Sequence, residues 1–163
     1  MKRIALSLII AGLVFAVAAQ NRGGASLGLF AGADAPGTAT ANIASDDQVH
    51  LNWGFFVNLP LLQTFHLAPS AELYKFGASN ATDFDIAFKF IVPLQGLGLF
   101  AGISPGLTTV NTLTAPHVGV LGGATFGFVS NLDFFAMAKY TVVFDNSQNA
   151  SVIHANAGIL FYF

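Results

Sequence analysis

The chain has 163 residues, of which 54% are hydrophobic and only 9% are charged. Soluble domains contain about 25% charged residues, so this composition predicts either a membrane-embedded protein or one that aggregates. The sequence contains no cysteine, which excludes disulfides, thiolate catalysis and cysteine-ligated metals. The formal net charge of −2 leaves no basic excess of the kind that marks nucleic-acid-binding proteins, and we expect no nucleic-acid partner.

The first segment has the three parts of a secretory signal peptide. Lys2 and Arg3 form a basic start, the apolar run IALSLIIAGLVFAVAA follows, and Ala18 or Ala19 ends a small-residue cleavage site. We therefore predict a leader over residues 1–19 and a mature domain over residues 20–163. The alternative is an uncleaved anchor helix, but the apolar run is short for a span of about 20 residues.

Beyond the leader, apolar residues recur at every second position in eight segments. In residues 132–144, for example, Leu132, Phe134 and Tyr140 share one face, and Asp133 and Lys139 share the other. This period predicts strands with one apolar face, whereas a helix would scatter the same residues around its circumference. The predicted strands are residues 24–33, 48–58, 64–76, 83–93, 97–107, 116–128, 132–144 and 151–163.

The predicted connections alternate in length. Those after the second, fourth and sixth strands are short. The others contain ADAPGTATANIASDD, GASNAT, TTVNTLTA and DNSQNA. Short turns at one rim and longer loops at the other are typical of outer-membrane barrels, and strands of about ten residues are long enough to cross the bilayer when tilted.

Two other architectures fit parts of the sequence. Residues 90–110 form an uncharged stretch long enough for a membrane-spanning helix, but two prolines and four glycines interrupt it. A soluble barrel would also alternate, yet it would need a charged outer face, and most positions on the apolar face here are Phe, Leu, Ile, Val or Ala. Lys75 is the exception on that face, and we expect it near a rim.

The last thirteen residues, SVIHANAGILFYF, place Ile159, Phe161 and Phe163 on one face of a strand that ends in an aromatic residue. This end resembles the final strand of Gram-negative outer-membrane barrels. With the eight-strand pattern, the mature chain resembles the small OmpA- and OmpX-like barrels, often grouped as porin-like or opacity-like proteins. The resemblance implies an all-β, antiparallel up-and-down transmembrane barrel in a bacterial outer membrane. It also implies contacts with outer-membrane lipids and lipopolysaccharide, and recognition of these three residues by the barrel-assembly machinery.

If the apolar face contacts lipid, the other face lines the lumen. At about mid-membrane level we expect Lys139 to pair with Glu72, Asp85 or both, because charges at this depth need partners or water. We expect the imidazoles of His50 and His154 and the amides of Asn52 and Asn156 to surround this pair.

Six lumen-facing glycines occupy the fifth and sixth predicted strands. They are Gly98, Gly102, Gly106, Gly119, Gly123 and Gly127. Three interpretations stay open. Phe100 and bulky residues opposite fill the space, a water-filled groove follows the glycine wall, or glycine relieves strain where a small barrel curves tightly.

No sequence motif indicates an enzyme. The four histidines never show a metal-ligand spacing such as HExxH. A Ser70–His50 or Ser70–His66 pair with Glu72 would lie in a lumen just wide enough for side chains, without an oxyanion hole. We therefore predict no catalytic residues, cofactor or metal. A non-enzymatic structural or surface-interaction role, with the lumen plugged by the polar network, is the first hypothesis. A narrow porin-like channel for water, ions or small solutes is the second. A lipid-modifying enzyme is a remote third, and the surface partner stays unidentified.

Overall fold

Eight antiparallel strands form one closed sheet in the computed structural model, which describes residues 24–37, 49–76, 79–145 and 149–163. Strands pair in chain order, and β8 pairs with β1, so the sheet has no open edge that lipid would leave without hydrogen bonds. The predicted fold class is confirmed. The strands are β1 (Ser26–Pro36), β2 (His50–Pro60), β3 (Phe65–Phe76), β4 (Ser79–Leu94), β5 (Leu97–Val110), β6 (Leu113–Val129), β7 (Leu132–Phe144) and β8 (Asn149–Tyr162).

The stretch considered as a spanning helix, residues 90–110, forms the end of β4, a turn at Gln95–Gly96, and β5. Gly96 has a φ of 76°, a conformation that glycine adopts without strain. Among the described residues, no helix is both long and apolar enough to cross a membrane. The predicted leader, residues 1–19, lies outside the described residues.

The two faces of the strands point as the alternation predicts. Trp53 is 58% exposed and Phe84 is 57% exposed on the outer surface. Lumen-facing Lys139 is 3% exposed, and Glu72 is 1% exposed. In β7, every residue from Asp133 to Thr141 alternates between buried and exposed. The barrel therefore has an apolar outer surface and a lumen that contains its buried charges.

The barrel has two distinct ends. The end that contains Ser26, Tyr162 and the turns 61–64, 95–96 and 130–131 is called the terminal rim. The opposite end is called the loop rim. It contains the end of β1, the start of β2, the end of β3, the start of β4, the turn 111–112, the end of β7 and the start of β8.

Three of the longer predicted loops are wrong. TTVNTLTA forms a continuation of β5 and β6, with Val110 paired to Leu113 and only Asn111 and Thr112 in the turn. Asn111 has a φ of 55°, a left-handed conformation that asparagine accepts. Polar composition suggested loops, but threonine is β-branched and favours strands. GASNAT and DNSQNA are shortened likewise, because β4 begins at Ser79 and β8 begins at Asn149.

Candidate functional site

Strand register brings charges that are distant in the sequence to one level of the lumen. Glu72 on β3 lies opposite Asp83 on β4, and Lys139 on β7 lies opposite His154 on β8. Because β3 and β7 are four strands apart in an eight-strand barrel, Lys139 reaches the carboxylates across the lumen. A side chain of this length can span the interior because eight strands leave a narrow core.

Lys139 contacts three carboxylates. Its Nζ atom lies 2.6 Å from Glu72 Oε2, 3.0 Å from Asp85 Oδ2 and 3.6 Å from Asp83 Oδ2. All four residues are at most 5% exposed. The sequence analysis paired Lys139 with Glu72 and Asp85, and the structure places both in contact with it. It adds Asp83, which shares their lumen-facing parity but was left out of the predicted network.

His117 is the second residue that the predicted network lacked. Its Nε2 atom bonds Asp85 Oδ1, and its Nδ1 atom lies 2.7 Å from Thr108 Oγ1. Gly106 pairs with both Asp85 and His117, and a Cβ there would collide with both side chains. His117 has the same parity as the glycines of β6, so the strand pattern alone marked it as lumen-facing.

Glu72 and Asp83 receive further polar contacts. Asn156 Nδ2 donates a hydrogen bond to Glu72 Oε1 over 3.1 Å, and His154 Nδ1 lies 3.1 Å from the same oxygen. Tyr74 donates to Asp83 Oδ1 over 3.0 Å. The predicted His154 and Asn156 therefore contact Glu72, and Tyr74, which the prediction lacked, contacts Asp83.

His50 and Asn52 lie at one edge of this arrangement. His50 pairs with Asp34 on β1, and Asn52 pairs with Gly32. Asp34 also pairs with His154 and is 2% exposed. Among the described residues, Lys139 makes its polar contacts with carboxylates and with neither His50 nor Asn52. We use the name charged cluster for Glu72, Asp83, Asp85, Lys139, His117 and His154.

The charged cluster has the geometry of a cation site, and an ammonium group lies among its carboxylates. In two sets, Glu72–Asp83–His154 and Asp83–Asp85–His117, the ligand atoms lie within 4.8 Å of one another. Spacing along the chain did not reveal these sets, because strand pairing and not sequence proximity brings their members together. Lys139 Nζ contacts all three carboxylates, so the lysine supplies the positive charge that such a set attracts.

An apolar band closes the lumen on the terminal side of the charged cluster. Phe56 packs edge to face on Phe135, with ring centroids 5.2 Å apart, and Phe30 lies 6.2 Å from Phe56. Other buried side chains complete the band. They are Phe100, Leu121, Met137, Leu160, Ala68 and Ala87.

The six glycines of the predicted wall occupy lumen-facing positions of β5 and β6. Gly123 pairs with Phe100, whose ring covers it, and a Cβ at Gly102 would collide with the backbone oxygen of Phe88. A Cβ at Gly119 would meet Ser104 Oγ. Phe100 thus fills the space beside Gly123, as in the first interpretation, whereas the nearest atoms at Gly102 are backbone atoms of the neighbouring strand. Three glycines of the predicted wall remain. Gly98 lines a cavity, Gly106 is described above, and Gly127 lies at an irregularity in the β6–β7 pairing.

Glycine is not confined to that wall. Three further cross-strand pairs place a glycine directly opposite a lumen phenylalanine: Gly28–Phe56, Gly54–Phe30 and Gly158–Phe135. An aromatic ring that covers a glycine on the neighbouring strand is a known device for stabilising sheets. The pattern explains how a narrow barrel accommodates four rings at one level.

Two cavities flank the apolar band. A small one, of about 20 Å³, lies between Lys89 and Lys139 and is lined also by Ser70, Ser104 and Asp85. This volume accommodates about one water molecule. A larger one, of about 340 Å³, lies at the terminal rim. The rings of Phe56 and Phe100 belong to the band that separates the larger cavity from the charged cluster.

The residues considered for an enzyme do not form a triad. Ser70 Oγ donates to Asp85 Oδ2 over 3.3 Å. His66 pairs with Lys89 and lines the terminal cavity, whereas Glu72 belongs to the charged cluster. Among the described residues, no imidazole is hydrogen-bonded to Ser70.

The predicted assembly residues lie on the outer face of β8 and at its end. Phe161 is 38% exposed and Phe163 is 77% exposed, and Ile159 is partly exposed. The Phe163 amide donates to the Ala25 carbonyl over 3.1 Å, which ties the end of the chain to the start of β1. Lys75 is exposed near the loop-rim end of β3.

No family model and no curated protein matches the sequence. Solved structures do match. The crystal structure of Neisserial surface protein A (NspA) has a TM-score of 0.70 at 15% identity, over 88% of this chain and 100% of that one. A de novo designed transmembrane β-barrel has a TM-score of 0.56 at 14% identity, over 88% and 98%. The N-terminal β-barrel domain of Pseudomonas aeruginosa OprF has a TM-score of 0.55 at 15% identity, over 87% and 100%.

At these identities the likeness concerns the fold alone. The three structures share with this chain a small β-barrel. The chain therefore has the fold of the small eight-stranded outer-membrane β-barrels.

Proposed function

We propose that the protein is a non-enzymatic integral barrel of a bacterial outer membrane, with a closed lumen and a structural or surface-interaction role. Export after cleavage of residues 1–19, lipopolysaccharide as a lipid partner and recognition of Phe163 by the assembly machinery are parts of the same proposal. The likeness in fold to Neisserial surface protein A supports this location.

The contacts of Lys139 with three carboxylates carry the closed-lumen proposal. These side chains meet across the lumen from β3, β4 and β7, so they occupy the path that a solute would take. The apolar band lies directly beside them and has few polar atoms to replace the hydration shell of an ion. Two consecutive barriers of opposite polarity therefore oppose conduction.

Planar-bilayer recordings test this proposal. Purified mature protein should give no discrete conductance steps, because the charged cluster and the apolar band block the lumen. A Phe100→Ala, Met137→Ala variant removes two side chains of the apolar band. Its recordings show how much current passes when that barrier is thinner. The matched control, Phe84→Ala, Phe88→Ala, removes two rings from the outer surface and should remain silent. Discrete steps from the unaltered protein would contradict the closed lumen.

The cavities support a second candidate, a narrow pore. The terminal cavity and the smaller cavity beside Lys139 lie on opposite sides of the apolar band, so a small movement of its rings would join them. In that case the unaltered protein conducts, and Ser104→Leu, which fills the smaller cavity, reduces the steps. Steps that Ser104→Leu leaves unchanged would exclude this path.

A further inference from the structure

The larger cavity lies inside the terminal rim and has a volume of about 340 Å³. Gln63 of the β2–β3 turn and Leu94 and Leu97, which flank the β4–β5 turn, line its outer part. Phe56 and Lys89 line its inner part. A site for one water needs only about 10–15 Å³, so this cavity has room for a small solute together with water.

Lys89 differs sharply from Lys139 in its surroundings. It is 4% exposed, yet among the described residues no carboxylate lies within ion-pair distance of its ammonium group. Its Nζ atom donates to Asn58 Oδ1 over 3.3 Å and lies 3.8 Å from the centroid of the Phe56 ring. An ammonium has three N–H donors, and a buried charge needs a partner of opposite sign. The described part of the fold thus holds this ammonium beside a cavity with no carboxylate in direct contact.

Other donors surround the same space. His66 pairs with Lys89 across β3 and β4, lines the cavity, and has a buried Nδ1 atom without a hydrogen-bond partner. Asn58 Nδ2 donates to Ser26 Oγ over 3.2 Å, so the Ser26 hydroxyl retains its own hydrogen for another acceptor. Both residues are buried and line the cavity.

We propose that the terminal cavity binds a small oxyanion, of the size of phosphate, through the Lys89 ammonium. Ser26 donates through its hydroxyl, and His66 lines the same space. Asp133 also lines the cavity, from the start of β7 near the rim. Its carboxylate repels any anion, and most strongly a highly charged one, so the cavity favours a ligand of low charge. This inference goes beyond the structural role and does not depend on whether the lumen conducts.

Calorimetric titration of inorganic phosphate into the mature protein, folded in an uncharged maltoside detergent, tests the site. The unaltered protein should bind saturably. Lys89→Met should weaken binding by about tenfold or more, since a charge-assisted hydrogen bond is lost. Lys89→Arg should retain binding, and Lys75→Met, the same change at an exposed lysine, should leave it unchanged. Binding that Lys89→Met does not alter, or no saturable binding by the unaltered protein, would overturn the proposal.

Two further measurements keep the test decisive. Heat-dependent gel mobility reports whether each variant is folded, and Asp133→Asn should tighten phosphate binding without any change at Lys89. Weaker binding by a folded Asp133→Asn variant would contradict the electrostatic argument. Glycerol 3-phosphate, titrated in the same way, distinguishes the source of the ligand. Tighter binding than phosphate points to a lipid headgroup, and equal or weaker binding points to a free oxyanion.

Discussion

Replacing Lys139 by alanine removes the ammonium that contacts three buried carboxylates. At an effective dielectric constant of 20, one ion pair at 4 Å is worth about 4 kcal/mol, and the three contacts of Lys139 are all shorter than that. Desolvation offsets much of this attraction, but removal of one partner leaves the others buried and unpaired. Breaking a buried pair in this way costs about 3–5 kcal/mol, and we expect a loss of that size in the free energy of unfolding.

The matched control is Lys75→Ala, on the exposed face of β3. Substitutions at such positions change stability by about 0.5 kcal/mol or less. The assay is urea unfolding of the barrel in lipid vesicles, followed by tryptophan fluorescence and extrapolated to zero urea. Equal losses for the two variants would refute the assignment of Lys139 to a buried network.

A double-mutant cycle measures the interaction between Lys139 and Glu72 separately from the general cost of shortening each side chain. Glu72→Gln removes one of the carboxylates that Lys139 contacts at short range. Because the two residues share one interaction, the double variant Lys139→Met, Glu72→Gln should lose less stability than the sum of the single losses. Additive losses would show that Lys139 and Glu72 act independently.

Other substitutions test the packing and the turns. Phe56→Ala should lower the free energy of unfolding by about 3–5 kcal/mol, because it leaves a cavity in the apolar band. Phe84→Ala, on the outer face, should lower it less, and urea unfolding of the two variants measures the difference. Gly123→Ala should destabilise by about 1–3 kcal/mol through overpacking, whereas its neighbour Gly122→Ala, whose Cβ meets no atom closer than 3.6 Å, should be neutral; similar losses would contradict the assigned faces. Asn111→Val should destabilise by about 1 kcal/mol, because a β-branched residue resists a positive φ, and Asn111→Gly should not; equal unfolding midpoints would show that this turn tolerates either residue.

The sequence was sufficient to predict the strands and their faces, because lipid and lumen impose opposite chemistry at every second residue. Trp53 and Phe84 could be placed outside, and Lys139 inside, from parity alone. The predicted ends of the strands were less accurate. Residues 108–115 were predicted as a loop because threonine is polar, but Thr109 pairs with Thr114 and Thr108 pairs with Ala115 across β5 and β6.

The charged cluster could be predicted only in part. Parity and an estimate of depth were enough to bring Lys139, Glu72 and Asp85 together. His117 was missed, because its contact with Asp85 depends on the register of β4, β5 and β6 and on the absence of a side chain at Gly106. Register follows from hydrogen bonding between strands, which a list of lumen-facing residues does not contain.

The central claim is that the apolar face of each strand contacts lipid while the polar face is enclosed. The sequence contains a single tryptophan, Trp53, which is 58% exposed on the outer surface. The fluorescence of Trp53 therefore tests this claim in the unaltered protein. In vesicles with brominated acyl chains, Trp53 fluorescence should be strongly quenched, and aqueous acrylamide should quench it weakly. Strong quenching by acrylamide and none by brominated lipid would contradict the account.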